Sequence, residues 1–129
     1  LMQIYGDQNF LELHSLTLDM LKNMQNSAMV LHYSSKIANF KGCFEQFLQI
    51  LNLFFSDLLC IKNGKHNLVA NKQAAAELQV LAKNYSTLAI VSILNYIVDV
   101  MSKKNFNLNQ NGLIDEILLK ILEIKYICK

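Results

Sequence analysis

The chain has 129 residues, 53% of them hydrophobic and 17% charged, with a net charge of +2 at pH 7. That length suits one domain able to bury roughly two thirds of the surface its unfolded form exposes. Every basic residue is lysine and the one adjacent pair is Lys103-Lys104, which argues against direct nucleic-acid binding, since there is neither a strong positive field nor an arginine fork for phosphate and guanine.

Helical periodicity runs through the chain and no segment alternates as a strand does, so an all-α fold is predicted, a compact bundle of five to six helices in one domain spanning 1–129. The opening "LMQIYG", with Leu1 ahead of Met2, leads us to expect a fragment of a longer chain. The first helix is predicted from Asp7, a candidate N-cap, to Met24, with Phe10, Leu13, Leu16, Met20, Leu21 and Met24 as its apolar stripe. After the polar break "NMQNS", a shorter helix runs from Ser27 to Asn39 with Met29, Val30, Tyr33 and Ile37 on one side.

The third helix is predicted over Gly42–Asn63 and stops at Gly64, placed to adopt the left-handed conformation of a helix C-terminus. Its polar residues, among them Gln49, Asn52, Ser56 and Asp57, fall on one side, and Leu53 and Cys60 stray into it. The loop "GKHNLVAN" leads to Asn71, a candidate N-cap for an alanine-rich helix ending near Tyr85. Ser86 can cap the fifth helix, which runs to about Asn105. Only Ser92, Asn95, Asp99, Ser102 and Lys103 make it polar, so a place at the centre of the bundle or between neighbours is expected.

In "NLNQNGLIDEILLKIL", residues 107–122, asparagines precede the last helix, predicted over Gln110–Tyr126. Asn109 is its candidate N-cap, with Asn107 bracing the turn. Ile114, Ile117, Leu118, Ile121 and Ile124 form a core stripe, while Leu119, Leu122 and Tyr126 form a second one beside it. Each side chain of that size left wet forfeits about 1.5–3 kcal/mol relative to burial, so Leu119, Leu122, Tyr126 and, more weakly, Leu53 are candidate contacts to another chain. Short connections favour antiparallel sequential neighbours.

Catalytic and ligand-binding patterns find no support in the sequence. His14, His32 and His66 lack the spacing that puts two metal ligands on one helical face. Asp115-Glu116 complements the positive start of a helix, and "KNGKHN" is far from a phosphate-cradling loop. Three cysteines, Cys43, Cys60 and Cys128, without CxxC spacing suit free thiols in a reducing, cytoplasmic setting. The apolar windows Phe47–Ile61 and Leu88–Met101 fall short of the roughly 20 residues of a membrane span. No catalytic residue, cofactor, metal, membrane or small-molecule substrate is expected.

Two segments carry a resemblance. "SDLLCIKNGKHNLVAN", residues 56–71, resembles a pattern in the C-terminal domains of the delta-prime subunits of bacterial DNA polymerase III, with Asp57, Leu58, Leu59, Lys62, Gly64, Leu68 and Asn71 matching an Asp-Leu-Leu helix end, a Lys-x-Gly stop and a Leu-x-x-Asn. The segment "NLNQNGLIDEILLKI" is similar to that domain's closing motif through Asn107, Asn109, Asp115, Leu118, Leu119 and Lys120. Motif order and separation agree, and "GDQNFLEL" looks like the stretch after the lid domain, so the likeness spans nearly the whole chain. The chain departs from the pattern at Ser56, where arginine is common, at Lys72, where an acidic residue is common, and at Gly112, where leucine is usual.

The resemblance implies a helical collar domain of the clamp loader, the pentamer that uses ATP to open the sliding clamp and place it on primed DNA in replication. Such a domain would pack beside the delta and gamma/tau ATPase subunits and carry no catalysis itself. The rival readings are the collar domain of another clamp-loader subunit, a helical adaptor that binds a partner helix or peptide in a groove, and a small helical enzyme.

Overall fold

Three phenylalanines of one helix, Phe47, Phe54 and Phe55, are fully enclosed, and the bundle is organised around them. In the computed structural model, which describes residues 8–40, 44–103 and 110–128, the described residues form six α-helices and two 3-10 turns, with no strand. In chain order these are α1 (Gln8–Asn23), α2 (Ala28–Ala38), α3 (Phe44–Lys62), turns at His66–Leu68 and Lys72–Ala74, α4 (Ala75–Ala82), α5 (Thr87–Ser102) and α6 (Gln110–Ile127). The all-α expectation and the number of helices agree with the structure.

The axis is α3, and the fifth helix takes the second of its two expected places, between neighbours, packed on α3 and α6. Helix α3 packs against α1, α4 and α5, and Phe47, Leu48, Ile50, Leu51, Phe54, Phe55 and Leu58 are buried along its length. Bulk decides the matter: rings bury more area than β-branched side chains, so the helix richest in phenylalanine takes the enclosed position. By length and composition α3 could also cross a membrane, but its apolar residues form the centre of this core. Helix α5 buries Ala89, Ile90, Ile93 and Ile97 and leaves Leu88, Val91 and Val98 exposed.

Sequential packing accounts for only part of the architecture. The most extensive pairings are α3 with α5 and α2 with α6, neither of them consecutive in the chain. The last helix therefore returns to the second, burying Ile114, Ile117, Leu118, Ile121, Leu122 and Ile124, and closes the bundle on itself.

The helix ends follow local chemistry. Gly64 has φ +74°; the Lys65 N–H donates to the Cys60 carbonyl at 2.8 Å and the Gly64 N–H to the Ile61 carbonyl at 3.1 Å, the paired bonds of a Schellman terminus. Ser86 caps α5 as expected, its Oγ accepting from the Ala89 N–H at 3.0 Å. The same hydroxyl donates to the Cys128 carbonyl, tying the end of α6 to the start of α5. Asp7, Asn107 and Asn109 lie outside the described residues.

Candidate functional site

Asp57 is the one buried carboxylate among the described residues, 2% exposed, although periodicity places it on the polar side of α3. Burial of a charge requires partners, and it has three: the Ala70 N–H at 2.7 Å, the Asn71 N–H at 2.9 Å and the Asn71 Nδ2–H at 2.6 Å. The carboxylate thus clasps the loop that the Gly64 turn sends back along α3.

Asn71 departs from its expected role. It precedes the 3-10 turn Lys72–Ala74, but its side chain makes no capping bond, and α4 starts only at Ala75. A buried carboxylate is a stronger acceptor for its amide than α4's first turn is a donor for its oxygen, so the side chain turns inward. Its Oδ1 lies 2.9 Å from His14 Nε2. Because the Asn71 amide nitrogen donates to Asp57, Oδ1 must accept, and His14 carries a proton on Nε2. The imidazole is stacked obliquely on Phe54 at 4.7 Å and lies 6.2 Å from the Phe10 ring.

This Asp57–Asn71–His14 chain lies beside an open pocket of about 630 Å³ between α1 and the 70–77 segment. Lys72, on its rim, donates to the Asn67 and Val69 carbonyls at 3.1 and 2.9 Å. Glu77 is paired with Lys22 at 2.6 Å. The polar groups satisfy one another, and what the arrangement does is fix three segments of chain together. No group of three or more residues suited to holding a metal occurs among the described residues.

The candidate contact residues separate. Leu122 is only 7% exposed and belongs to the core, so its assignment to an outer surface is corrected: the return of α6 onto α2 covers the face it shares with Leu118 and Ile121. Leu119 and Tyr126 are 46% and 44% exposed. They stand seven residues apart, two turns along the same face of α6. The Tyr126 hydroxyl donates to the Gln25 carbonyl at 2.6 Å, holding α6 to the α1–α2 turn. Leu53, 39% exposed, is on α3, which makes no extensive contact with α6, and so it does not extend that surface.

Sequence reasoning missed two features. The first is the exposed set Leu88, Val91 and Val98 on α5, which a place at the centre of the bundle or between neighbours was expected to cover. The second is a shallow groove of about 510 Å³ between α5 and α6, with Tyr96 and Leu119 on its walls beside Asp115, Glu116, Lys120 and Glu123. The Tyr96 hydroxyl is held above its ordinary pKa by burial, and then by the charges of Glu116 and Asp99. In comparisons with known proteins, no family model matches the chain, and neither a curated protein nor a solved structure does.

Proposed function

We propose that the chain is a non-catalytic oligomerisation domain of the clamp-loader collar type, from a delta-prime subunit of DNA polymerase III. In this reading it packs beside the delta and gamma/tau ATPase subunits in the cytoplasm and so supports sliding-clamp loading. A collar raises the effective concentration of the ATPase modules around one another, a task that requires apolar surface and neither cofactor nor metal.

The observation that carries the reading is the apolar surface left on the last two helices after the core is full: Leu88, Val91 and Val98 on α5 and Leu119 on α6. The resemblance of residues 56–71 and 107–121 gives the partner class. Within the first of these segments, Asp57, Gly64 and Asn71 build the clasp and helix stop, which accounts for those residue types at that spacing by structure alone.

The test is size exclusion with light scattering on this domain, alone and mixed with the delta and ATPase subunits of the same organism. A mixed complex abolished by Leu119→Asp or Val98→Asp, with each variant still folded by circular dichroism, is the expected result. If no complex forms at high protein concentration, the collar reading fails. Tyr126→Asp is a poorer probe, because it also removes the bond to Gln25. The groove between α5 and α6 favours a second reading, an adaptor that docks a partner helix.

A further inference from the structure

The α5–α6 groove sets an exposed leucine among carboxylates in excess of lysine, whereas exposed Leu11 and Val80 line pockets whose Glu77 is already paired with Lys22. Leu119 stands on one wall with nearly half its surface in water, and Tyr96 faces it from α5. Four carboxylates belong to this region: Asp115, Glu116 and Glu123 line the groove, and Asp99 acts with Glu116 on the Tyr96 hydroxyl.

Two lysines oppose them. Lys103 pairs with Asp99 at 3.3 Å and Lys120 with Glu123 at 3.6 Å. Asp115 and Glu116 have no ion-pair partner among the described residues. On a chain whose net charge is +2, this is a locally negative rim around an apolar floor. An acidic partner would meet repulsion there, and a neutral one would leave the two unpaired carboxylates facing a low-dielectric contact.

We infer that the groove between Tyr96 and Leu119 docks a basic amphipathic helix of a partner protein, an apolar side chain seated between the two walls and lysine or arginine reaching Asp115 and Glu116. This inference rests on the reading of the α6 outer face as an interface, and names the chemistry of its occupant. An amphipathic helix docks by laying its apolar face into an apolar groove, with charges on the rim setting orientation and encounter rate. The Tyr96 ring offers a rigid flat surface, the kind of residue that dominates such contacts.

The probe is a synthetic amphipathic helix with a leucine stripe flanked by lysine, labelled for fluorescence anisotropy, and compared with the same helix flanked by glutamate. Wild type is expected to bind the lysine form and not the glutamate form, with affinity falling as salt rises. Leu119→Ala weakens it about tenfold, as loss of one buried leucine contact does. The double variant Asp115→Lys, Glu116→Lys weakens it at least as much and flattens the salt dependence. All three positions lie at the surface or partly so, and an unchanged melting temperature excludes unfolding as the cause.

Equal binding of both helices overturns the inference, as does binding of the lysine form that is lost with Val98→Asn on α5 but not with Leu119→Ala. The collar test is separable. If the peptide binds at the groove while no clamp-loader subunit does, the groove stands and the collar identity falls. If a clamp-loader complex forms and survives Asp115→Lys, Glu116→Lys, the interface lies elsewhere and the groove assignment falls.

Discussion

Replacing Asp57 by alanine tests whether the loop between α3 and α4 is held by one buried carboxylate. The substitution strands three donors, the N–H groups of Ala70 and Asn71 and the Asn71 side-chain amide, which now bond at 2.6–2.9 Å. Hydrogen bonds to a charged acceptor contribute about 1.5–3 kcal/mol each in a dry site. Ala70 is exposed and Asn71 half-buried, so water recovers part of each, and about 1–1.5 kcal/mol per bond is the better figure. Removing the carboxylate also relieves the cost of burying it, which offsets on the order of 1–2 kcal/mol. The net expectation is a loss of about 1–3.5 kcal/mol, or roughly 4–14 °C in melting temperature for a domain of this size. Guanidinium unfolding measures it, with an unchanged slope confirming that the denatured state is unaltered. Asn71→Ala should cost about 1 kcal/mol, and the double variant less than the two singles together, because they share a bond. If Asp57→Ala unfolds within about 0.5 kcal/mol of wild type, the carboxylate does not hold the loop and the clasp is incidental.

Three further outcomes follow from the same structure. Leu122→Ala should destabilise by about 2–4 kcal/mol and Leu119→Ala by under about 0.5 kcal/mol, a contrast read by chemical denaturation that separates core from surface on one helix. Gly64→Ala should cost about 1 kcal/mol from its positive φ alone, since a Cβ there meets nothing within 4 Å; a loss above about 3 kcal/mol would indicate a steric clash instead. Burial first, and then the Tyr126 hydroxyl, push the Tyr85 pKa above its ordinary value. The native state therefore keeps a proton that the unfolded state releases above about pH 10, and stability falls as pH rises through that range. Tyr85→Phe should flatten the dependence between about pH 9 and pH 11 in urea titrations, and equal slopes for the two proteins would count against the assignment.

What was legible in the sequence divides by range. Gly64 and Ser86 act through atoms within a few residues of themselves, and spacing alone located both. The stripes of α1, α2 and α6 were legible for the same reason, because a helical period lists the residues of one face. What that period leaves open is which neighbour covers the face. Leu122 and Leu119 lie three residues apart with equivalent side chains, yet one is buried because α6 returns to α2, a pairing between elements about eighty residues apart in sequence. Asp57 failed for the complementary reason: its polar type assigned it outward, while its partners, 13 and 14 residues on, draw it in. Asn71 was legible as a hydrogen-bonding residue but not in its choice of acceptor, which needed the position of Asp57.

The surface of α5 follows from the same competition for enclosure. A bundle has one axis, and a helix that brings Phe44, Phe47, Phe54 and Phe55 gains more by occupying it than one whose apolar residues are Ile, Val and Leu, because rings bury the larger area per position. Once α3 is central, α5 covers it with Ala89, Ile90, Ile93 and Ile97, packs Leu94, Tyr96, Val100 and Met101 partly against the core, and leaves Leu88, Val91 and Val98 on the outside. Val91 and Val98 lie well round α5 from Tyr96, the residue that shares the groove with Leu119, so they belong to a different surface from Leu119. The excess of apolar residues in the last third of the chain is thus divided between the α5–α6 groove and the far side of α5, and a partner seated in the groove leaves Val91 and Val98 uncovered.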